Sequence, residues 1–372
     1  MLEFFGQLPP CVVAMEACGG AHFWGCEIGK LGHDVRLIPP AYVKPFVKRQ
    51  KNDATDAEAI YEAAQRPTMR FVPVKSEETQ GEAMVFRVRE LLIRQRTQAI
   101  NSLRGHLTEF GQIVAQGAAN ASKLIAIVED PECDLTADAI TALKVLIAAL
   151  AQLEAETGKL DTEITCRAKG NDLARRLMTV PGIGPLIATA IATLAPPPES
   201  FRKARDFSAW LGLVPRQHST GGKQRLGATT KMGEHSLRRL LIIGANSVII
   251  KRHVHAAARP ATWLGGMLTC KPPMLVRVAL ANKMARIVWA LMAHGGVYQS
   301  PAVVGTKEGK KKFGATVVRR DRDTQCATKC LRASRIDLES DPRTPYGPAA
   351  SVRPQFERVS GILCNWNLVH AF

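Results

Sequence analysis

Three carboxylates stand where they could bind a divalent cation. Glu16 ends a short apolar run at 11–17, and Asp53 and Asp56 lie three residues apart, which places them on one face of a helix. Hard cations such as Mg²⁺ take carboxylate oxygens from different elements, and two such ions can hold both reacting oxygens of a phosphodiester. The alternative is structural, because acids at a helix start are usually caps or partners of the helix dipole.

A second candidate site is the polar segment that contains Ser219, Thr220 and two glycines. It has basic residues on either side: Arg216, His218, Lys223 and Arg225. From residue types alone, the segment is consistent with nothing more than a phosphate-binding loop. Its spacing is not that of a P-loop, so nucleotide hydrolysis is not expected.

A third candidate is the sequence VPGIGPLIA at 180–188, which is typical of a helix-hairpin-helix. Gly182 and Gly184 are expected to form a turn with positive φ, and the amides that open the next helix would then bind phosphate without reading base sequence. Arg175 and Arg176 lie just upstream and favour DNA binding. A plain connection between two packed helices is the alternative.

The elements around the acids predict an α/β fold. Residues 11–17 form a strand, a helix follows Gly20 and ends near Gly32, and 34–40 form a second strand; this βαβ pattern requires a parallel sheet. A third strand is expected at 70–74.

Two long helices are predicted next, at 75–118 and 137–168. They are expected to pair as an antiparallel hairpin or coiled coil. Such a pair is either a solvated spacer or an element that contacts DNA or dimerises. The predicted domains are therefore a partial α/β domain at 1–74, a helical linker at 75–170, a mostly helical domain at 171–296 and a poorly ordered basic tail at 297–372.

The charge balance points to a polyanionic partner. The 372-residue chain has 50 Lys and Arg against 33 Asp and Glu, a net charge of +17. Nucleic acid is the commonest partner of such a surplus, although a basic protein that is merely soluble is the alternative. The sequence contains neither an apolar run long enough for a membrane span nor a signal peptide, and its nine scattered cysteines predict free, buried thiols. A cytoplasmic protein is expected.

The motifs together resemble the DEDD-type insertion-sequence transposases related to the Piv DNA invertase. The family pattern E-x-[TAS]-G-G matches 16–20 with Cys18 in place of the usual small residue, and K-x-D-x-x-D-A matches 51–57 in full. The segment at 209–223 is similar to the hallmark of the family's second domain. The resemblance covers about 10–296.

The resemblance implies a RuvC-like, ribonuclease H-like domain in which Glu16, Asp53 and Asp56 bind Mg²⁺. It also implies that Ser219, or less favourably Thr220, attacks DNA, with Arg216, His218 and Lys223 as the groups that could activate it. Element DNA, a structured RNA encoded by the element and further copies of the chain are the implied partners.

One part of the family pattern has no counterpart. The family's first strand carries an Asp well before the Glu, whereas the segment before Glu16 contains no Asp. The sequence therefore predicts a RuvC-like domain that is incomplete and N-terminally truncated. The expected function is excision and insertion of an insertion sequence. The alternatives are a nucleic-acid-binding remnant without catalysis, and a junction nuclease that uses water and never the serine.

Overall fold

The parallel βαβ unit places the acidic residues. The computed structural model describes residues 1–48, 52–251 and 262–299. After helix α1 (Leu2–Gly6), strand β1 (Val12–Glu16), helix α2 (Ala21–Lys30) and strand β2 (Asp34–Ile38) follow in order. The strands pair in parallel from Val12 opposite Asp34 to Glu16 opposite Ile38, as predicted. The central residues of β1 and the last two residues of β2 are buried, because the sheet lies between two packed layers.

The two faces of this sheet bury different side chains. Val13 and Met15 point toward Phe5 of α1 and toward α2, while Ala14 points to the opposite face. That opposite face is covered by α3 (Pro40–Val43), a single 3-10 turn (Lys44–Phe46) and α4 (Asp53–Ala64). The α4 helix begins at Asn52, whose Oδ1 accepts hydrogen bonds from the amide and the hydroxyl of Thr55 at 2.7 and 2.8 Å.

The predicted third strand at 70–74 is wrong. Only Val72 pairs with the sheet, in an isolated antiparallel bridge to Leu37. Pro73 follows it and has no N–H to donate, so the ladder cannot continue.

Two long helices follow, α5 (Glu77–Glu109) and α7 (Ala137–Gly170), capped by Ser76 and Thr136. Arg89 pairs with Asp161, and Arg96 pairs with Glu154. Because the residue numbers increase along α5 as those of the partners on α7 decrease, the two helices are antiparallel. The prediction that the first helix extends to 118 is wrong, because Gly111 adopts a φ of 76° after its end. A 3-10 turn (Ala118–Asn120) and helix α6 (Ala121–Glu129) fill the connection.

The C-terminal body consists of short helices around one apolar core. The core takes residues from each α-helix of this body, and also Phe86 from α5 and Ile164 and Ala168 from the end of the second long helix, α7. In chain order the helices are α8 (Asp172–Leu177), α9 (Pro185–Leu194), a 3-10 turn (Pro198–Ser200), α10 (Ala204–Trp210), α11 (His235–Ile250), α12 (Trp263–Cys270) and α13 (Pro273–His294). Strands β3 (Pro215–Gln217) and β4 (Leu226–Thr229) form an antiparallel hairpin between α10 and α11.

Three general expectations can be compared with this fold. Within the described residues no helix is both long and apolar enough to cross a membrane. The six cysteines of that part of the chain are free, but none is buried: Cys18, Cys166 and Cys270 are exposed and the other three are half-buried. The tail predicted to be poorly ordered lies outside the described residues from residue 300 onward.

The turn before α9 packs against α11 backbone to backbone. A Cβ on Gly182 would lie 2.6 Å from the carbonyl oxygen of Gly244, and a Cβ on Gly244 would collide with the carbonyl oxygen of Gly182. Gly182 has a φ of 86°, as expected. The same expectation for Gly184 is wrong, since its φ is −92° and it is the extended residue before α9. One glycine therefore makes the turn and the other allows the helix to begin.

This contact predicts that two helix glycines respond in opposite ways to alanine. Gly244→Ala should lower the free energy of unfolding by about 2 kcal/mol or more, because its methyl group meets backbone that cannot move aside. Gly158→Ala, in the middle of α7 with open space around it, should raise that free energy by about 0.5–1 kcal/mol through helix propensity. Urea unfolding of both variants gives the comparison, and a stabilising Gly244→Ala would contradict the packing described.

Candidate functional site

The acidic residues lie on two adjoining elements of the N-terminal domain. Glu16 ends β1 and is half-buried, and the next amide, that of Ala17, donates to the carbonyl oxygen of Ile38 at 2.8 Å. Asp53 and Asp56 occupy the first turn of α4, with Asp53 exposed and Asp56 half-buried. Because α4 packs on the sheet that contains β1, these carboxylates belong to one domain.

The chemistry of these side chains suits a hard cation, since all three are carboxylates. Their spacing does not make a closed cage: in the described residues, no three Asp, Glu, His or Cys side chains are close enough together to hold a metal ion. Lys51, the first residue of the second acidic motif, lies outside the described residues.

Cys18 follows Glu16 in the loop that leads to α2. Burial and, after it, the negative charge of Glu16 raise the pKa of the Cys18 thiol. The thiol is therefore mostly protonated near neutral pH, which disfavours it as a nucleophile.

Ser219 lies at the tip of a β-hairpin, which we call the serine hairpin (residues 214–230). Its two central residues, Gly221 and Gly222, have φ values of 54° and 75°, as a type I′ turn requires. Thr220 and Lys223 pair on either side of the turn. The segment predicted to be a phosphate-binding loop is thus a tight two-residue turn.

The hydroxyl of Ser219 is exposed and held by one hydrogen bond. Its Oγ accepts from the amide of Arg225 at 3.1 Å, and the amide of His218 donates back to the Arg225 carbonyl oxygen at 2.8 Å. The His218 ring lies against Gly227 and makes no hydrogen bond to Ser219 within the residues that the structure covers. Arg216, Lys223 and Arg225 are exposed around this tip and give it a positive potential.

The base of the serine hairpin is fixed by a buried cation. Arg238 of α11 is 7% exposed, and its Nη1 donates to the carbonyl oxygens of Leu211 and Met232 at 3.0 and 2.9 Å. Asn282 of α13 donates to the carbonyl oxygen of Leu213 at 2.9 Å. Sequence analysis missed both residues. The signal available for Arg238 was its place among leucines at helical spacing in HSLRRLL.

The turn between α8 and α9 forms a shallow open depression of about 560 Å³. Residues 178–184 line one side, and Ser247 and Lys251 of α11 and its end line the other. Arg175 and Arg176 lie at the end of α8 and share the carboxylate of Asp172, at 3.1 and 3.4 Å. Sequence analysis did not anticipate Lys251.

Comparisons with known families agree with this arrangement. Residues 4–111 match the DEDD transposase domain, and residues 174–260 match the transposase domain of the IS116/IS110/IS902 family. The first match contains the acidic residues and the second contains the serine hairpin. The class is therefore that of transposases with a DEDD-type, ribonuclease H-like acidic domain, which implies a requirement for a divalent metal.

Curated relatives identify the family. A "Probable family 20 transposase" of Pseudomonas aeruginosa is 49% identical over 299 residues, covering 80% of this chain and 88% of the relative. The transposase for insertion sequence element IS1328 of Yersinia enterocolitica is 40% identical over 80% and 88%. That for element IS1111A of Coxiella burnetii is 38% identical over 78% and 80%. The chain belongs to the IS116/IS110/IS902 family of insertion-sequence transposases.

The buried cation under the serine hairpin leads to a second prediction. Arg238→Met should leave two carbonyl oxygens without their donor and lower the free energy of unfolding by about 2 kcal/mol. Trypsin should then cleave faster at Arg216, Lys223 and Arg225. The matched control is Arg239→Met, the next residue of α11, whose contact with Glu90 is 3.5 Å long and half-exposed; it should cost no more than about 0.5 kcal/mol. Equal trypsin sensitivity of the two variants would refute an anchoring role for Arg238.

Proposed function

We propose that this transposase excises and inserts its element by using Ser219 as the nucleophile toward DNA. The observation that carries the proposal is the placement of Ser219. Its hydroxyl is exposed near the tip of a basic hairpin, and its oxygen accepts a hydrogen bond from the Arg225 amide. A serine that served only the turn would not need the surrounding cations.

The proposed chemistry conserves the energy of the phosphodiester bond. Ser219 Oγ attacks phosphorus, the bond from phosphorus to one strand breaks, and the proton lost by the serine is balanced by the one gained on the released hydroxyl. A strand-end hydroxyl later attacks the phosphoserine ester and restores the serine, so no nucleotide is consumed. Arg216, Lys223 and Arg225 would stabilise the charge on the phosphoryl oxygens.

Glu16, Asp53 and Asp56 are the carboxylates that we propose for Mg²⁺. A bound Mg²⁺ would supply Lewis-acid polarisation of the scissile phosphate. The residues themselves bring negative charge to the acidic domain, where a cation is needed before a phosphodiester can approach. The proposal is supported by the position of Glu16 at the end of β1 and of the aspartates on the helix packed against it.

The helix-hairpin-helix would hold DNA through its backbone. Gly182, Gly184 and the amides that open α9 face phosphate groups in this proposal, with Arg175 and Arg176 adding charge. An RNA encoded by the element and a homo-oligomer of the chain complete the proposed assembly, and the chain's charge of +17 suits both nucleic acids.

One observation favours a second candidate, a nucleic-acid-binding protein without catalysis. The described acidic residues do not form a three-ligand group. In that case the chain would bind DNA with the expected salt dependence but would never cleave it, with or without Mg²⁺.

Replacement of the serine tests the proposal directly. Ser219→Ala should abolish the SDS-resistant adduct between protein and labelled element-end DNA and lower strand exchange by several orders of magnitude. Thr220→Ala is the control: it keeps the turn, which uses the Thr220 backbone, and should retain the adduct. Strand cleavage that persists in Ser219→Ala would instead indicate a junction nuclease that uses water.

The acidic residues give a separate prediction. Glu16→Gln and Asp56→Asn should each lower Mg²⁺-dependent strand cleavage by about a hundredfold or more, since each removes a negative charge that the cation requires. Glu58→Gln changes another acid of α4 that pairs with Lys48 on the surface, and it should leave the rate unchanged. Equal activity of Glu16→Gln and Glu58→Gln would remove Glu16 from the site. A wild-type chain that binds DNA but never cleaves it would support the second candidate.

A further inference from the structure

Helix α5 carries two rows of arginines, and the arginines of one row form ion pairs within the protein. Arg89 and Arg96 lie seven residues apart, which places them on one face of the helix. Arg89 donates to both carboxylate oxygens of Asp161 at 2.5 and 3.2 Å, and Arg96 lies 3.1 Å from Glu154. These ion pairs join α5 to α7, so their role is structural.

The other row consists of Arg87 and Arg94, also seven residues apart. Both are exposed, and neither makes a hydrogen bond or an ion pair within the parts of the chain that the structure describes. The row extends about 10 Å along the helix. Two neighbouring cations on one face repel each other, and no acid in the described structure compensates them by direct contact.

Lys75 lies two residues before the start of α5, and its charge interacts with that of Arg87. Hydrogen bonds from α2 and α5 hold its backbone. Its amide donates to His22 Nδ1 of α2 at 3.2 Å, and its carbonyl oxygen accepts from the thiol of Cys26 at 3.4 Å and from Gln80 at 3.1 Å. These hydrogen bonds fix the position of the backbone from which the Lys75 side chain extends. Its amino group also has no ion pair among the described residues.

The charge of Arg87 acts on both Lys75 and His22. Burial and then the charge of Arg87 lower the pKa of the Lys75 amine, and only Glu234 acts in the opposite direction. Burial, Lys75 and Arg87 likewise lower the pKa of His22. His22 is thus neutral near pH 7 with Nδ1 as the acceptor, which leaves the proton on Nε2 available for donation.

We propose that Lys75, Arg87 and Arg94, assisted by His22, form a second binding track for the phosphodiester backbone of a nucleic acid. We call Lys75, Arg87 and Arg94 the basic row. A chain of phosphates supplies the regularly spaced negative charges that such a row lacks. The inference rests on the proposed function, because it takes nucleic acid as the substrate. It adds a contact on α5 and the segment before it, made by residues other than those of the serine hairpin and the α8–α9 turn.

The salt dependence of binding tests the track. The full chain and the variant Lys75→Gln/Arg87→Gln/Arg94→Gln are titrated with fluorescent duplex DNA, single-stranded DNA and single-stranded RNA at several salt concentrations. Each lost phosphate contact changes the slope of log Kobs against log salt by about 0.9 for a duplex and about 0.7 for a single strand. The slope of the triple variant should therefore be shallower by about two to three for a duplex, or by about two for a single strand. The probe that shows the change identifies the nucleic acid that follows the row.

The structural row of the same helix provides the matched control. Arg89→Gln/Arg96→Gln removes two charges from α5 and should lower the melting temperature while leaving the slope unchanged. Circular dichroism of the triple variant should show wild-type helicity, because its side chains make no ion pairs in the described structure. If the wild type binds the probes and the triple variant keeps the full slope on all of them, the basic row is not a binding track, and the proposed function is unaffected. If the wild type binds none of them, the proposed function fails together with it.

Discussion

The arrangement of this transposase depends on two long helices, α5 and α7, each of which is buried in two cores. Phe86 of α5 lies in the core of the C-terminal body, whereas Leu103 and Leu107 lie in the core that α5 forms with α6 and α7. Polar contacts fix α5 further: Thr193 donates to Glu82 at 3.0 Å and Ser236 donates to Glu90 at 2.7 Å. Ser236 lies in the first turn of α11, and Arg238 of the same helix holds the serine hairpin. The position of α5 is therefore coupled to the position of that hairpin.

The chain's positive charge is divided between structural and available cations. Arg238 is buried under carbonyl oxygens, and Arg89 and Arg96 are neutralised by acids of α7. The cations of the serine hairpin and Arg87 and Arg94 of the basic row are exposed, and Lys75 is half-buried. Net charge alone therefore overstates how much of the surface can bind a polyanion. The cations without an ion pair in the described structure are the ones available for such binding.

Local sequence patterns predicted the elements more reliably than their ends. The parallel strands and the second long helix were predicted correctly because apolar spacing and glycine breaks are local signals. The first long helix was predicted too long, and a strand was predicted where Pro73 allows only a bridge at Val72. The serine segment was predicted as a loop, because the pairing of residues 215–217 with 226–229 is not encoded in either segment alone. The family matches confirmed the resemblance, while the roles of Glu16, Asp53, Asp56 and Ser219 stay predictions.

The sequence by itself determined the family, the order of the motifs and the types of residue at the candidate site, because these depend on residue identity and spacing along the chain. Only the tertiary structure decided which glycine allows α9 and α11 to touch, which arginine is buried under the serine hairpin, and which arginines of α5 are free. Arg87 and Arg89 are two positions apart and chemically identical in sequence. A helix turns them to different faces, and only one of those faces meets the acids of α7.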